Sequence, residues 1–115
     1  MNQSQAEAIA QRQLDAYNAG DIDAFELCYT EDVELYTLTT HELTGKGRSY
    51  LRQRYGELFT RCPDLHAALV LRSTVGNVVF DRELVTGTGG DPIHAMAVYE
   101  VNDEGLIAKA WFVKA

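Results

Sequence analysis

Over the first sixty residues the apolar positions recur every three or four residues, and beyond Leu65 they recur every second residue. The first spacing puts apolar side chains on one stripe of a helix, and the second puts them on one face of a strand. Ala6, Ile9, Ala10, Gln13/Leu14 and Tyr17 form the first stripe. Ser4 to Glu7 fits a capping box that would start this helix, and Gly20 suits its left-handed end. Asp21 is placed to cap a short second helix with Ile22, Phe25, Cys28 and Tyr29 on one side. From Val33 the segment VELYTLT alternates Val33, Leu35 and Thr37 against Glu34, Tyr36 and Leu38, which predicts a strand. THELTGKG reads as a turn. A third helix is predicted from about Arg48 to Arg61, stopped by Pro63. Four β-rich runs follow, LHAALVLRST, NVVFDRELVTG, IHAMAVYEVN and LIAKAWFVK, separated by Gly76-Asn77, TGTGGDP and Asp103-Glu104-Gly105. The expected fold is α+β, with three helices in the N-terminal half packed on one side of a curved, mostly antiparallel sheet.

One strand breaks the apolar rule. In NVVFDRELVTG the side chains of Val79, Asp81, Glu83 and Val85 share a face, opposite Val78, Phe80, Arg82 and Leu84. Three arrangements satisfy this alternation. The carboxylates are in water with Phe80 and Leu84 in the core, or one is buried and paired to Arg72 or to helix donors, or both face a polar pocket.

Composition narrows the field. A chain of 115 residues with 46% hydrophobic content is read as a single domain, residues 1–115. The formal charge of -7, from 17 acidic against 10 basic side chains, argues against a nucleic-acid partner. No apolar run is long enough to span a membrane, and MNQSQAEAIAQRQ has no signal-peptide pattern, so the expected location is cytoplasmic, with no membrane partner. Cys28 and Cys62 are placed as small buried hydrophobes. Metal-ligand spacings and phosphate-binding glycine loops are missing, and neither a metal nor a cofactor is expected. The cations Lys46, Arg48, Arg52, Arg54 and Arg61 cluster in one helical segment. They form either a solvated helix face or a docking site for an acidic ligand group.

The element order, with AYNAGDIDAFELCYTEDVELY near the start and VYEVNDEGLIAKAWFVK at the end, resembles the nuclear-transport-factor-2-like superfamily, in particular its SnoaL-like and ketosteroid-isomerase-like members. The resemblance covers nearly the whole chain. It implies a cone in which a curved sheet wraps three helices around an apolar-walled cavity, and pairing as homodimers through the sheet. The fold hosts isomerases, cyclases, dehydratases, hydrolases and non-enzymatic adaptors, so it fixes architecture better than chemistry. A ketosteroid isomerase of this family uses a carboxylate base, a Tyr donor and a protonated Asp. Aligned here, those positions hold Thr37, Gln13 and Ala97, and steroid isomerisation by that set is not expected.

The resemblance also places Asp81, Glu83 and Val85 on the cavity side of their strand, with Ala95, Ala97, Tyr99 and Val101 on the cavity side of the next. Asp81, Glu83 and His66 are therefore the candidate acid/base groups, and Tyr17, Tyr36, Tyr55 and Tyr99 the candidate ligand-binding residues. Close carboxylates push one pKa upward, which yields an acid and a base from one residue type. The expected function is cofactor-independent proton transfer on a small apolar organic molecule, as in isomerisation, cyclisation or hydration. A non-catalytic dimeric ligand-binding or protein-association module is the competing class. His41 and His94 are read as surface residues. Trp111, on the face opposite Ala110 and Phe112, marks the expected homodimer surface.

Overall fold

A computed structural model describes residues 3–115. Its elements are α1 (Gln3–Ala19), α2 (Ile22–Glu26), β1 (Tyr29–Thr37), β2 (Leu43–Lys46), α3 (Gly47–Arg61), β3 (His66–Val75), β4 (Val78–Thr86), β5 (Ile93–Val101) and β6 (Ile107–Lys114). The strands form one six-stranded sheet in the order β2-β1-β6-β5-β4-β3. All neighbours are antiparallel except β1 and β6, which run parallel. The expected α+β architecture, three helices on a curved sheet, is the one observed.

The helix junction follows from two residues. At the end of α1, Gly20 takes φ +66°. Its N–H donates to the Tyr17 carbonyl and the Asp21 N–H reaches back to Ala16, at 3.1 and 3.0 Å. This left-handed cap satisfies carbonyls that the helix end would leave open. The Asp21 carboxylate then accepts the Ala24 N–H at 3.1 Å and starts α2. One Gly-Asp pair thus stops one helix and begins the next.

Two expectations need correction. Among the described residues α1 already includes Gln3, so Ser4 lies inside the first turn and is not its cap. The segment read as a turn contains β2, a four-residue edge strand paired to β1 through Glu34–Lys46 and Leu35–Gly45.

The inner faces of the sheet and helices make the core. Ala6, Ile9 and Ala10 of α1 pack with Phe25, Tyr29, Val33, Leu35, Leu51, Val79, Val101 and Ile107, all essentially inaccessible. Phe25 is the hub of an aromatic cluster, with ring centroids 4.8 Å from Tyr55, 5.2 Å from Tyr29 and 5.6 Å from Phe59. Each such pair adds about 0.5–1.5 kcal/mol beyond its burial. A second cluster, Leu14, Cys62, Leu65, Ala67 and Val85, closes the other end of the helix layer. There Gly87 has φ +81° and its backbone lies against Asp64, where a Cβ would meet the Asp64 carbonyl. No described helix is long and apolar enough to cross a membrane.

Candidate functional site

The two buried carboxylates of the interior are delivered by β4. Asp81 pairs in register with Ala97 of β5 on one side and with Arg72 of β3 on the other, and Glu83 sits opposite Ala95. Small alanines on β5 leave open space in front of the second carboxylate.

Asp81 is fully buried and tied down. Arg72 donates to it twice, Nε to Oδ1 at 2.7 Å and Nη2 to Oδ2 at 2.8 Å, and Nη1 reaches Gln11 on α1 at 2.9 Å. A planar guanidinium matched to both oxygens of a carboxylate is the geometry that repays burial of the two charges. Both of Asp81's oxygens are occupied by Arg72, and the residue does not border the cavity. The paired arrangement, among the three left open by the alternation, describes this residue.

Glu83 is different. It is 9% exposed, and no group among the described residues hydrogen-bonds to or ion-pairs with it. It borders a cavity of about 130 Å³ whose walls include Leu14, Leu58, Leu65, Val85, Ile93 and Phe112. Burial in this apolar setting pushes its carboxyl up to about 7; the Asp81 charge adds to the rise and Arg72 opposes it. An acid with a pKa near 7 accepts and returns protons readily at neutral pH.

Tyr17, Tyr55 and Tyr99 border the same cavity. Burial is the largest influence on all three phenols and raises each, so they stand as neutral hydroxyls. Gln13, 4% exposed on α1, completes the lining. Its Oε1 accepts the hydroxyls of Tyr29 at 3.1 Å and Tyr99 at 3.3 Å. With the carbonyl end held by two donors, the amide nitrogen is the end of this lining residue left to donate.

Of the residues singled out from the sequence, Glu83, Tyr17, Tyr55 and Tyr99 come together around one cavity, and Asp81 lies sealed beside it. His66 and Tyr36 do not join them. His66 is exposed at the start of β3, opposite Thr86, while its neighbour Ala67 points inward and is buried. The cause is a bulge between Leu69 and Leu71: counting back by twos from the inward Arg72 puts His66 inside, and one extra residue reverses the parity. Tyr36 alternates with the buried Val33 and Leu35 and so faces outward. Its hydroxyl donates to Glu34 at 2.6 Å, and its ring stacks on His41 and Trp111 at centroid distances of 4.4 and 5.5 Å. Trp111 in turn donates its Nε1–H to His41 Nδ1 at 2.9 Å. Polar cavity residues not singled out include Gln13, whose signal is a polar side chain in the middle of an apolar helix stripe, Arg54, which appears only as one of several clustered cations, and Lys114 at the end of the last strand. Among the described residues no group of three or more His, Cys, Asp or Glu is placed to hold a metal ion.

Residues 10–110 match the sequence profile of the SnoaL-like domain. The chain belongs to the SnoaL-like domain family. Solved structures similar to it share the fold. One is an uncharacterized cystatin-fold protein from Novosphingobium aromaticivorans, 27% identical, with a TM-score of 0.83 over 95% of this chain and 97% of that one. Another, from Kribbella flavida DSM 17836, is provisionally named a ketosteroid isomerase; it is 20% identical, with a TM-score of 0.85 over 98% and 79% of the two chains. A third, from Jannaschia sp. CCS1, is provisionally named a SnoaL-like polyketide cyclase; it is 13% identical, with a TM-score of 0.82 over 97% and 86%. No functionally curated protein matches the sequence. Within this SnoaL-like domain Gln13 and Ala97 border the cavity and Thr37 ends β1. None of the three carries an ionisable side chain.

Proposed function

We propose that this SnoaL-like protein is a cofactor-independent acid/base enzyme that moves a proton on a small, mostly apolar carbonyl compound, with Glu83 as the proton carrier. The observation that supports it most is a buried, unpartnered carboxyl with a pKa near 7, bordering a cavity lined by neutral donors. A carboxylate formed there is poorly solvated and basic enough to take a proton next to a carbonyl. As negative charge grows on the carbonyl oxygen, the Gln13 amide and the Tyr17 and Tyr55 hydroxyls are the donors available to stabilise it. The proton held on Glu83 then returns to another atom of the same substrate, which is an isomerisation, or the carbanion closes on a second carbonyl, which is an aldol-type cyclisation. Asp81 acts here as a positioning residue, through its charge on Glu83.

The test follows hydrogen–deuterium exchange of small cyclic ketones in D2O by NMR, comparing wild type with Glu83→Gln. Wild type is expected to catalyse exchange with a rate that rises with pH through about 7 as Glu83 ionises. The variant is expected to lose about 100-fold or more of that rate, the usual range for a general base. Equal rates would remove Glu83 from the mechanism, and ligand binding without exchange in either protein would turn the reading to a binding module. We further propose a homodimer through the outer sheet face, supported by the apolar Leu71, Val75 and Val78, exposed there at 54%, 80% and 38%. Sedimentation showing a monomer at micromolar concentration would end that proposal.

A further inference from the structure

The cations of α3 are not alike. Arg48 donates twice to the Tyr29 carbonyl, at 2.9 and 2.6 Å, and Arg52 holds Asp23 and Glu26 at 2.7 and 2.6 Å. Arg54, two residues on, has no carboxylate within 4 Å among the described residues, in a chain that carries seven more acidic than basic side chains. Its guanidinium donates to the neutral Tyr50 hydroxyl at 3.3 Å and stands over the Tyr55 ring, 5.6 Å from the centroid, with the Tyr55 hydroxyl as a second neutral partner. Tyr55 is a wall of the cavity, so this contact holds a positive charge at the cavity mouth. Lys114, the last residue of β6, borders the same cavity and also has no ion pair among the described residues. Glu57 shares an adjoining hollow with both and pairs with neither.

We infer that the ligand of this cavity is an organic acid, its apolar body beside Glu83 and its carboxylate at the mouth against Arg54 and Lys114. The inference rests on the reading of the cavity as the active site and adds the substrate's charge to it. A guanidinium fork whose only partners are neutral can match a carboxylate in two parallel hydrogen bonds, and the ammonium of Lys114 adds a second positive charge. At about 130 Å³ the cavity takes about one ring, with space for little else, so a polar tail is left at the mouth. The apolar walls have no charged partner to offer such a tail, whereas the rim has two.

The experiment is a pair of titrations at pH 6, where Glu83 is protonated, with cyclohexanecarboxylate and its neutral isostere cyclohexanecarboxamide, read by amide chemical shifts. Wild type is expected to bind the acid about fivefold or more tightly than the amide, a modest factor because the rim is solvent-exposed. The double substitution Arg54→Gln, Lys114→Gln is expected to bring the two affinities within twofold of each other, with its melting curve unchanged. Glu83→Gln is expected to keep the preference. Equal affinities in wild type, no binding of either compound at 10 millimolar (a ceiling of roughly 3 kcal/mol of affinity), or a preference that survives the double substitution would each overturn the inference. Proton exchange on neutral ketones without any acid preference would overturn this inference alone; an acid preference with exchange unaffected by Glu83→Gln would overturn the catalytic reading alone.

Discussion

Asp81 and Glu83 are two residues apart on one strand, point to the same side, and have opposite fates. Asp81 lies where β3 and α1 close over the sheet, and Arg72 occupies both its oxygens. Glu83 lies where the alanines of β5 open a space, and no group among the described residues pairs with it. The difference is made by neighbours and not by the carboxyl groups themselves. A buried charge with a matched partner serves the fold, and a buried acid without one is left for chemistry at some cost to the fold.

The largest break in this comparison is Arg72→Ala. It leaves the inaccessible Asp81 without its partner, and chemical denaturation is expected to show a loss of about 3–5 kcal/mol at neutral pH. A loss below about 1 kcal/mol would mean that the pair is no more than an exposed bridge. Glu83→Gln is expected to act in the other direction, and only at high pH. Below about 4.5 Glu83 is protonated in the folded and the unfolded chain alike and costs nothing; between 4.5 and 7 the unfolded chain ionises first, and the penalty is complete above 7. The variant is therefore expected to be more stable than wild type by roughly 3 kcal/mol at pH 8 and equal to it at pH 4. Denaturation curves that differ equally at both pH values would contradict the raised pKa. The smallest effect is on the coupling between the two acids. Asp81→Asn removes a charge that pushes Glu83 upward and frees Arg72 to pull it down, so the Glu83 pKa is expected to fall below about 7. It is expected to stay above 4.5, because burial is the larger cause. Carboxyl-carbon NMR titration reads this directly, and an unchanged value would show that the two sites do not interact.

Most of the architecture was legible in the sequence because its signals are local and repeated. Gly20-Asp21, Pro63 and the alternating runs after Leu65 each fix a boundary or a face without help from distant residues. β2 escaped notice because LTGK is four residues long, carries a glycine, and has only an edge to occupy, so no alternation announces it. His66 was misplaced for a reason of the same kind: a bulge has no residue signature in LHAALVLRST, yet it reverses every side chain before it. The inward direction of Asp81 and Glu83 followed from parity, but their separate roles depend on Arg72, nine residues from Asp81 in the chain and directly opposite it in the sheet. The importance of Gln13 depends on tyrosines 16 and 86 residues away. Contacts of that range are written in the fold and not in any window of sequence.

Ala95 and Ala97 have a consequence for how such a protein diversifies. They are positions where the mould is cut back, and around them the strand is paired in register to both neighbours through backbone bonds that do not depend on side-chain size. Exchanging Ala95, opposite Glu83 and one pair removed from Asp81, for valine or leucine would fill the hollow one or a few carbon atoms at a time without crowding the Asp81–Arg72 bridge directly. A lineage built on this frame has a dial for the girth of the molecule it accepts, separate from the machinery that would act on it.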